Sequence, residues 1–104
     1  DPAIRELVRG MSRAIGDPTI VRGRPIPLQP RAAERIAALT MPVLAVAGAI
    51  DVSDVPGTAV FLEKKAPQGR ALIWRDVAHM VALEAPDRLA DAIVEHLRDL
   101  PAWG

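Results

Sequence analysis

Residues 70–86 read Arg-Ala-Leu-Ile-Trp-Arg-Asp-Val-Ala-His-Met-Val-Ala-Leu-Glu-Ala-Pro, and the fold turns on this stretch. Ala71-Leu72-Ile73-Trp74 is a short apolar run of strand length, and it ends in a polar turn. The turn presents His79. A Glu84-Ala85-Pro86 step then opens an amphipathic helix, with proline at the first helical position, where its missing amide costs nothing. Upstream, Val43-Leu44-Ala45-Val46-Ala47-Gly48 is a second strand-length run, followed by Ala49-Ile50-Asp51. Two strand ends therefore deliver a carboxylate and an imidazole, in that order. The carboxyl ends of parallel strands are where open α/β sheets place their chemistry.

The rest of the chain fits around those two strands. Asp1-Pro2 suits a helix start, and Ile4, Leu7, Val8, Met11 and Ile15 form one apolar stripe at helical spacing. Gly16-Asp17-Pro18 ends that helix. Residues 17–30 hold Pro18, Pro25, Pro27 and Pro30, four of the ten prolines, and read as an irregular connector. Arg31–Leu39 reads as a short helix with Ile36 and Leu39 inward. Thr40-Met41-Pro42 leads into the first strand, Val43–Ala47, which is apolar on both faces like a buried parallel strand. Gly48 marks its end at a tight turn. A helix is expected from about Pro56 to Lys65, burying Ala59, Val60 and Leu62 with Phe61 as a possible fourth. The last helix, from Pro86, carries Leu89, Ile93, Leu97 and Leu100 as its stripe and stops at Pro101.

Helix, connector, helix, strand, helix, strand, helix is an α/β order with a parallel sheet and helices on its faces. Two strands make a poor sheet, since both are edges that leave backbone groups unpaired. The run Val43–Ala47 is too apolar for an exposed edge. Further strands are therefore expected from outside this chain.

Composition narrows the function. The 104 residues fit one small domain, with 50% apolar and 25% charged residues. The net charge is zero and Lys64-Lys65 is the only adjacent basic pair, so no electrostatic case exists for nucleic acid or an anionic membrane. Aromatic residues, at 3%, are too few for base-stacking platforms. No apolar run approaches the roughly 18 residues of a bilayer span. The absence of cysteine excludes disulfides and thiolate metal sites and fits a cytosolic or an exported protein; with no signal-peptide pattern, a cytoplasmic location is the expectation.

Asp51 suits the task of orienting an imidazole and stabilising its charged form, and a loop aspartate capping the next helix is the plainer reading. Asp54 competes for either role and is better placed for capping. An imidazole is the side chain suited to proton transfer near neutral pH, which makes His79 the candidate base. His96 lies mid-helix and reads as structural. Glu84 reads as an acid favoured by a helix N-terminus and Asp76 as a turn former. Trp74 and Met80 read as core residues that could also line a pocket near His79. Ser12 and Ser53 are the only serines, and neither sits in a Gly-x-Ser-x-Gly elbow. Two histidines seventeen residues apart form no metal cluster, so neither metal nor cofactor is expected.

Met41-Pro42-Val43-Leu44-Ala45-Val46-Ala47-Gly48-Ala49-Ile50-Asp51, followed by Ala78-His79-Met80-Val81-Ala82-Leu83-Glu84-Ala85-Pro86, resembles the α/β-hydrolase fold family over roughly residues 36–100. The resemblance implies that Asp51 is a triad acid and His79 a triad base. It implies the C-terminal part of a doubly wound, mostly parallel sheet, with residues 1–29 as the end of a cap and its connector and residues 30–104 as core. The family's nucleophile elbow, oxyanion-hole loop and other strands lie upstream of these segments. The expectation is therefore a piece of a hydrolase of ester or lactone type, with a second polypeptide or an upstream part supplying the nucleophile. Epoxide, carbon–halogen and carbon–carbon hydrolysis occur in the same family. The alternatives are a non-catalytic ligand-binding or interaction module of the same architecture and a clipped fragment of a single-chain enzyme.

Overall fold

A computed structural model describes residues 1–16 and 23–101. The elements in chain order are α1 (Pro2–Ile15), α2 (Ala32–Arg35) continued by a 3-10 turn (Ile36–Ala38), β1 (Val43–Gly48), α3 (Asp54–Lys65), β2 (Gly69–Trp74), α4 (Val81–Glu84) and α5 (Pro86–Arg98). The expected end of α1 at Asp17-Pro18 and the start of the connector lie outside the described residues. No helix among the described residues is long and apolar enough to cross a membrane.

The two strands pair in parallel, from Val43 opposite Gly69 to Gly48 opposite Trp74. The chain between them is the α3 crossover that parallel pairing demands. Alternation along each strand divides the core. Ala45 and Ala47 pack on Ala59 of α3, with Val55, Leu62 and Ala71 around them. Trp74 packs with Val77 and Ala92 of α5, surrounded by Val46, Leu72, Val81, Ala85 and Leu89. The result is a three-layer arrangement, α3 on one face and α4–α5 on the other, which is the expected α/β class.

Two packing expectations are corrected. On α3, Val55, Ala59 and Leu62 at spacing i, i+4, i+7 face the sheet, whereas Val60 is half-buried and Phe61 exposed. At α5, the N-cap residue Ala85 and, within the helix, Leu89 and Ala92 face the sheet, and Ile93 and Leu97 remain exposed. Small residues allow α5 to approach the bulky Trp74, so Leu89 of the expected stripe stays inward while Ile93 and Leu97 turn outward. Trp74 is a core residue, as read from the sequence: it is buried beneath α5 and does not line the groove that His79 borders. The guanidinium of Arg88 on α5 lies 4.2 Å over its ring and bonds the Asp76 carboxylate at 3.0 Å.

The core is small. Among the described residues, five of the seven buried apolar ones are alanines: Ala45, Ala47, Ala59, Ala66 and Ala92. The radius of gyration is 16.7 Å, against about 13 Å for a compact domain of this length. The stripe of α1 leaves Leu7, Met11 and Ile15 exposed. At the two ends of β1, the amides of Val43 and of Ala49 just beyond it donate to the β2 side, to the carbonyls of Gln68 and Trp74. By alternation, the backbone groups of Leu44, Val46 and Gly48 face the opposite edge, where no strand lies among the described residues. An apolar groove of about 340 Å³ runs beside that edge, between β1 and α3, lined by Ala45, Val46, Ala47, Val55 and Leu62.

Candidate functional site

The strand register sets the site. Gly48 and Trp74 are paired at the carboxyl ends of β1 and β2; Asp51 follows the first by three residues and His79 the second by five. The Trp74 carbonyl accepts hydrogen bonds from Ala49 at 2.9 Å and from Val77 at 3.3 Å, so one oxygen ties down both departing loops. The Ile50 amide then donates to the Val77 carbonyl at 3.0 Å.

Gly48 permits this arrangement. A Cβ built there would collide with the backbone carbonyls of Val77 and Ala78. The expected reason for this glycine was a tight turn. The observed reason is close approach, because no glycine among the described residues has a positive φ.

The two expected side chains meet. Asp51 Oδ2 lies 2.7 Å from His79 Nδ1, and Asp51 Oδ1 accepts from the Val52 amide at 2.7 Å. An ionised carboxylate only accepts, so Nδ1 carries the proton; in the neutral ring Nε2 then offers its lone pair. The Asp51 side chain keeps 7% of its exposure, whereas the His79 ring keeps 70%. The acid is thus tucked behind a base that faces outward. The hydrogen bond from His79 holds the Asp51 carboxyl below its ordinary range; desolvation opposes this, and the Val52 amide and the His79 charge reinforce it.

Glu84 plays a larger part than a helix-terminal acid. Its Oε1 accepts from the Ala78 amide at 3.1 Å and its Oε2 from the Met80 amide at 3.2 Å. One carboxylate therefore grips the chain on both sides of His79. The legible signal is the placement of Glu84 in the first turn after the loop, where an acid reaches back to free amides in the manner of a capping box. Asp54 begins α3, one residue after the N-cap position of Ser53, and its backbone carbonyl accepts from the Thr58 hydroxyl. It takes no part in the pair. His96 lies within α5, in its last turn.

Among the described residues no hydroxyl bonds to His79, and no three His, Asp or Glu side chains gather as a metal ion would need. Ser53 sits at the α3 N-cap and Ser12 within α1. The arrangement can orient an imidazole and stabilise its positive charge, which is the acid–base part of a nucleophilic mechanism.

No protein-family model matches the chain, and no curated protein matches it.

Proposed function

We propose that this chain is the C-terminal piece of an α/β-hydrolase, supplying the triad acid Asp51 and the base His79 for ester- or lactone-type hydrolysis. The observation that carries this reading is the 2.7 Å bond between Asp51 Oδ2 and His79 Nδ1, formed at the ends of adjacent parallel strands. In this reading Nε2 takes a proton from a nucleophile supplied by an upstream part or a second chain. The nucleophile attacks the carbonyl carbon, and His79 passes the proton to the leaving oxygen. A water molecule, deprotonated by His79 in turn, releases the acyl group. The unpaired edge of β1 and the groove beside it support a partner that adds strands there.

The test is turnover of 4-nitrophenyl butyrate by the complete assembly. Asp51→Asn and His79→Ala are each expected to lower kcat by about three to four orders of magnitude. Near-normal kcat in both variants would end the assignment. The second reading, a non-catalytic binding module of the same architecture, is favoured by the lack of any described hydroxyl bonded to His79. Native mass spectrometry of the purified protein separates the two when followed by sequencing of any captured chain. Ser, Asp or Cys at an elbow supports hydrolysis, and Gly or Ala there supports binding.

A further inference from the structure

A groove of about 360 Å³ has His79 in its wall, within the range of roughly 300–1,000 Å³ of small-molecule sites. On one side it is lined by the first half of α1 and on the other by the loop that carries His79. Ile4, Val8 and Met80 are half-buried and give it an apolar surface. Arg5 and Arg9 are exposed and bring two guanidinium groups to it.

The carboxylates of the groove bond to backbone amides and not to its arginines. Asp1 accepts from the Ala3 amide at 2.7 Å, and Glu84 accepts from Ala78 and Met80. Arg9 lies 3.8 Å from Glu6, in a pair whose side chains are both more than 60% exposed, a setting in which ion pairs contribute little. No carboxylate among the described residues lies within ion-pairing distance of Arg5. An apolar slot therefore has the candidate base on its wall and, at its border, an exposed arginine that no carboxylate among the described residues contacts.

We infer that this groove binds an organic anion. An apolar chain or ring lies against Ile4, Val8 and Met80, and its carboxylate is held by Arg5, with Arg9 as the second cation. Arginine suits this role because its planar fork matches a carboxylate with two parallel donors. The inference rests on the hydrolase reading only in calling such a compound a substrate, an acyl compound that carries a second, free carboxylate. Binding itself requires no turnover. Two further cavities, beside Ala32–Leu39 and along the β1 edge, do not include His79.

The experiment is an NMR titration of the whole protein with 4-phenylbutyrate and with its neutral twin, 4-phenylbutyramide. The carboxylate is expected to bind about tenfold more tightly at low ionic strength, to shift the methyl signals of Ile4, Val8 and Met80, and to lose its advantage as salt rises. Arg5→Ala should remove most of that preference and Arg5→Ala with Arg9→Ala all of it; alanine keeps the helix intact at these exposed positions. Equal affinity for the two probes, binding of neither, shifts elsewhere, or an undiminished preference in the double variant would overturn the inference. His79→Ala keeps the two ideas separate. It is expected to retain the carboxylate preference while abolishing turnover in the assembly, so anion binding alongside a turnover indifferent to His79 sinks the hydrolase reading alone.

Discussion

The Ile50 amide donates to the Val77 carbonyl at 3.0 Å, and this bond ties the loop that carries Asp51 to the loop that carries His79. It lies one residue before the acid and two before the base. The separation of the Asp51 and His79 side chains is therefore set by the main chain, with the Trp74 carbonyl as a second tie. Four predictions follow from the way these loops are held.

Gly48→Ala should loosen the acid–base pair without touching either member. Its Cβ meets the Val77 and Ala78 carbonyls, which are backbone and can yield only if the loop moves. Overpacking of this kind costs about 1–3 kcal/mol. The expected result is a lower Tm together with loss of the downfield Nδ1 proton signal of His79. An unchanged signal would show that the loop passes over position 48 with room to spare.

Glu84→Ala should act on geometry more than on stability. The two amides it releases are exposed and can take water, so the cost in folding should be below about 1 kcal/mol. The loop that aims His79 loses the two side-chain restraints that Glu84 supplies. A displacement near 1 Å can cost about 100-fold in rate. In the complete assembly kcat should fall by that order while KM changes little. Glu84→Gln keeps one acceptor oxygen and should fall between the two. Equal kcat in all three proteins would refute this role.

Acid should weaken the site through Asp51. Its folded pKa lies below the unfolded one, so its contribution to stability is complete above the ordinary aspartate value and is lost as pH falls through the lowered folded value. Asp76 is shifted in the same direction, first by its own backbone amide and then by Arg88, and it adds to the same acid limb. Measured between about pH 2 and 6, the Tm of the wild type should fall more steeply than that of Asp51→Asn. Parallel acid limbs would remove Asp51 as a source.

Arg88→Ala should destabilise α5 against the sheet. It removes a cation held 4.2 Å over the Trp74 ring and a 3.0 Å bond to Asp76. The stacking alone is worth about 0.5–1 kcal/mol at a site of this exposure. Chemical denaturation followed by tryptophan fluorescence, with Trp103→Phe as the common background, should show a loss of unfolding free energy of that size, with Arg88→Lys between the two. No shift in the alanine variant would leave the contact without energetic weight.

The sequence made the strand pair readable because both runs are short, apolar and followed by polar turns. Asp51 and His79 were readable for the same reason, since each follows a strand end by only a few residues. The helix faces were less legible. Spacing alone put Ile93 and Leu97 in the core of α5, whereas the bulk of Trp74 selects the side bearing Ala92. Gly48 was legible as a constraint but not for its cause, because a close approach involves residues 29 and 30 positions further along the chain. Glu84 was recognised as a helix-terminal acid, yet its grip on two amides depends on how the His79 loop curls back. The groove beside α1 depends on where an isolated amphipathic helix settles, and no local pattern encodes that.

The backbone ties between the two loops also bear on how such a protein can change over time. Trp74 and Val77 hold the loops through their carbonyls, and the amides that reach them belong to Ala49, Val77 and Ile50. Any residue but proline offers the same amide. The side chains of Ile50 and Val52, on either side of the acid, are exposed. Mutation can therefore recolour the rim of the site, altering which molecules are welcome there, while the distance between carboxylate and imidazole is inherited unchanged.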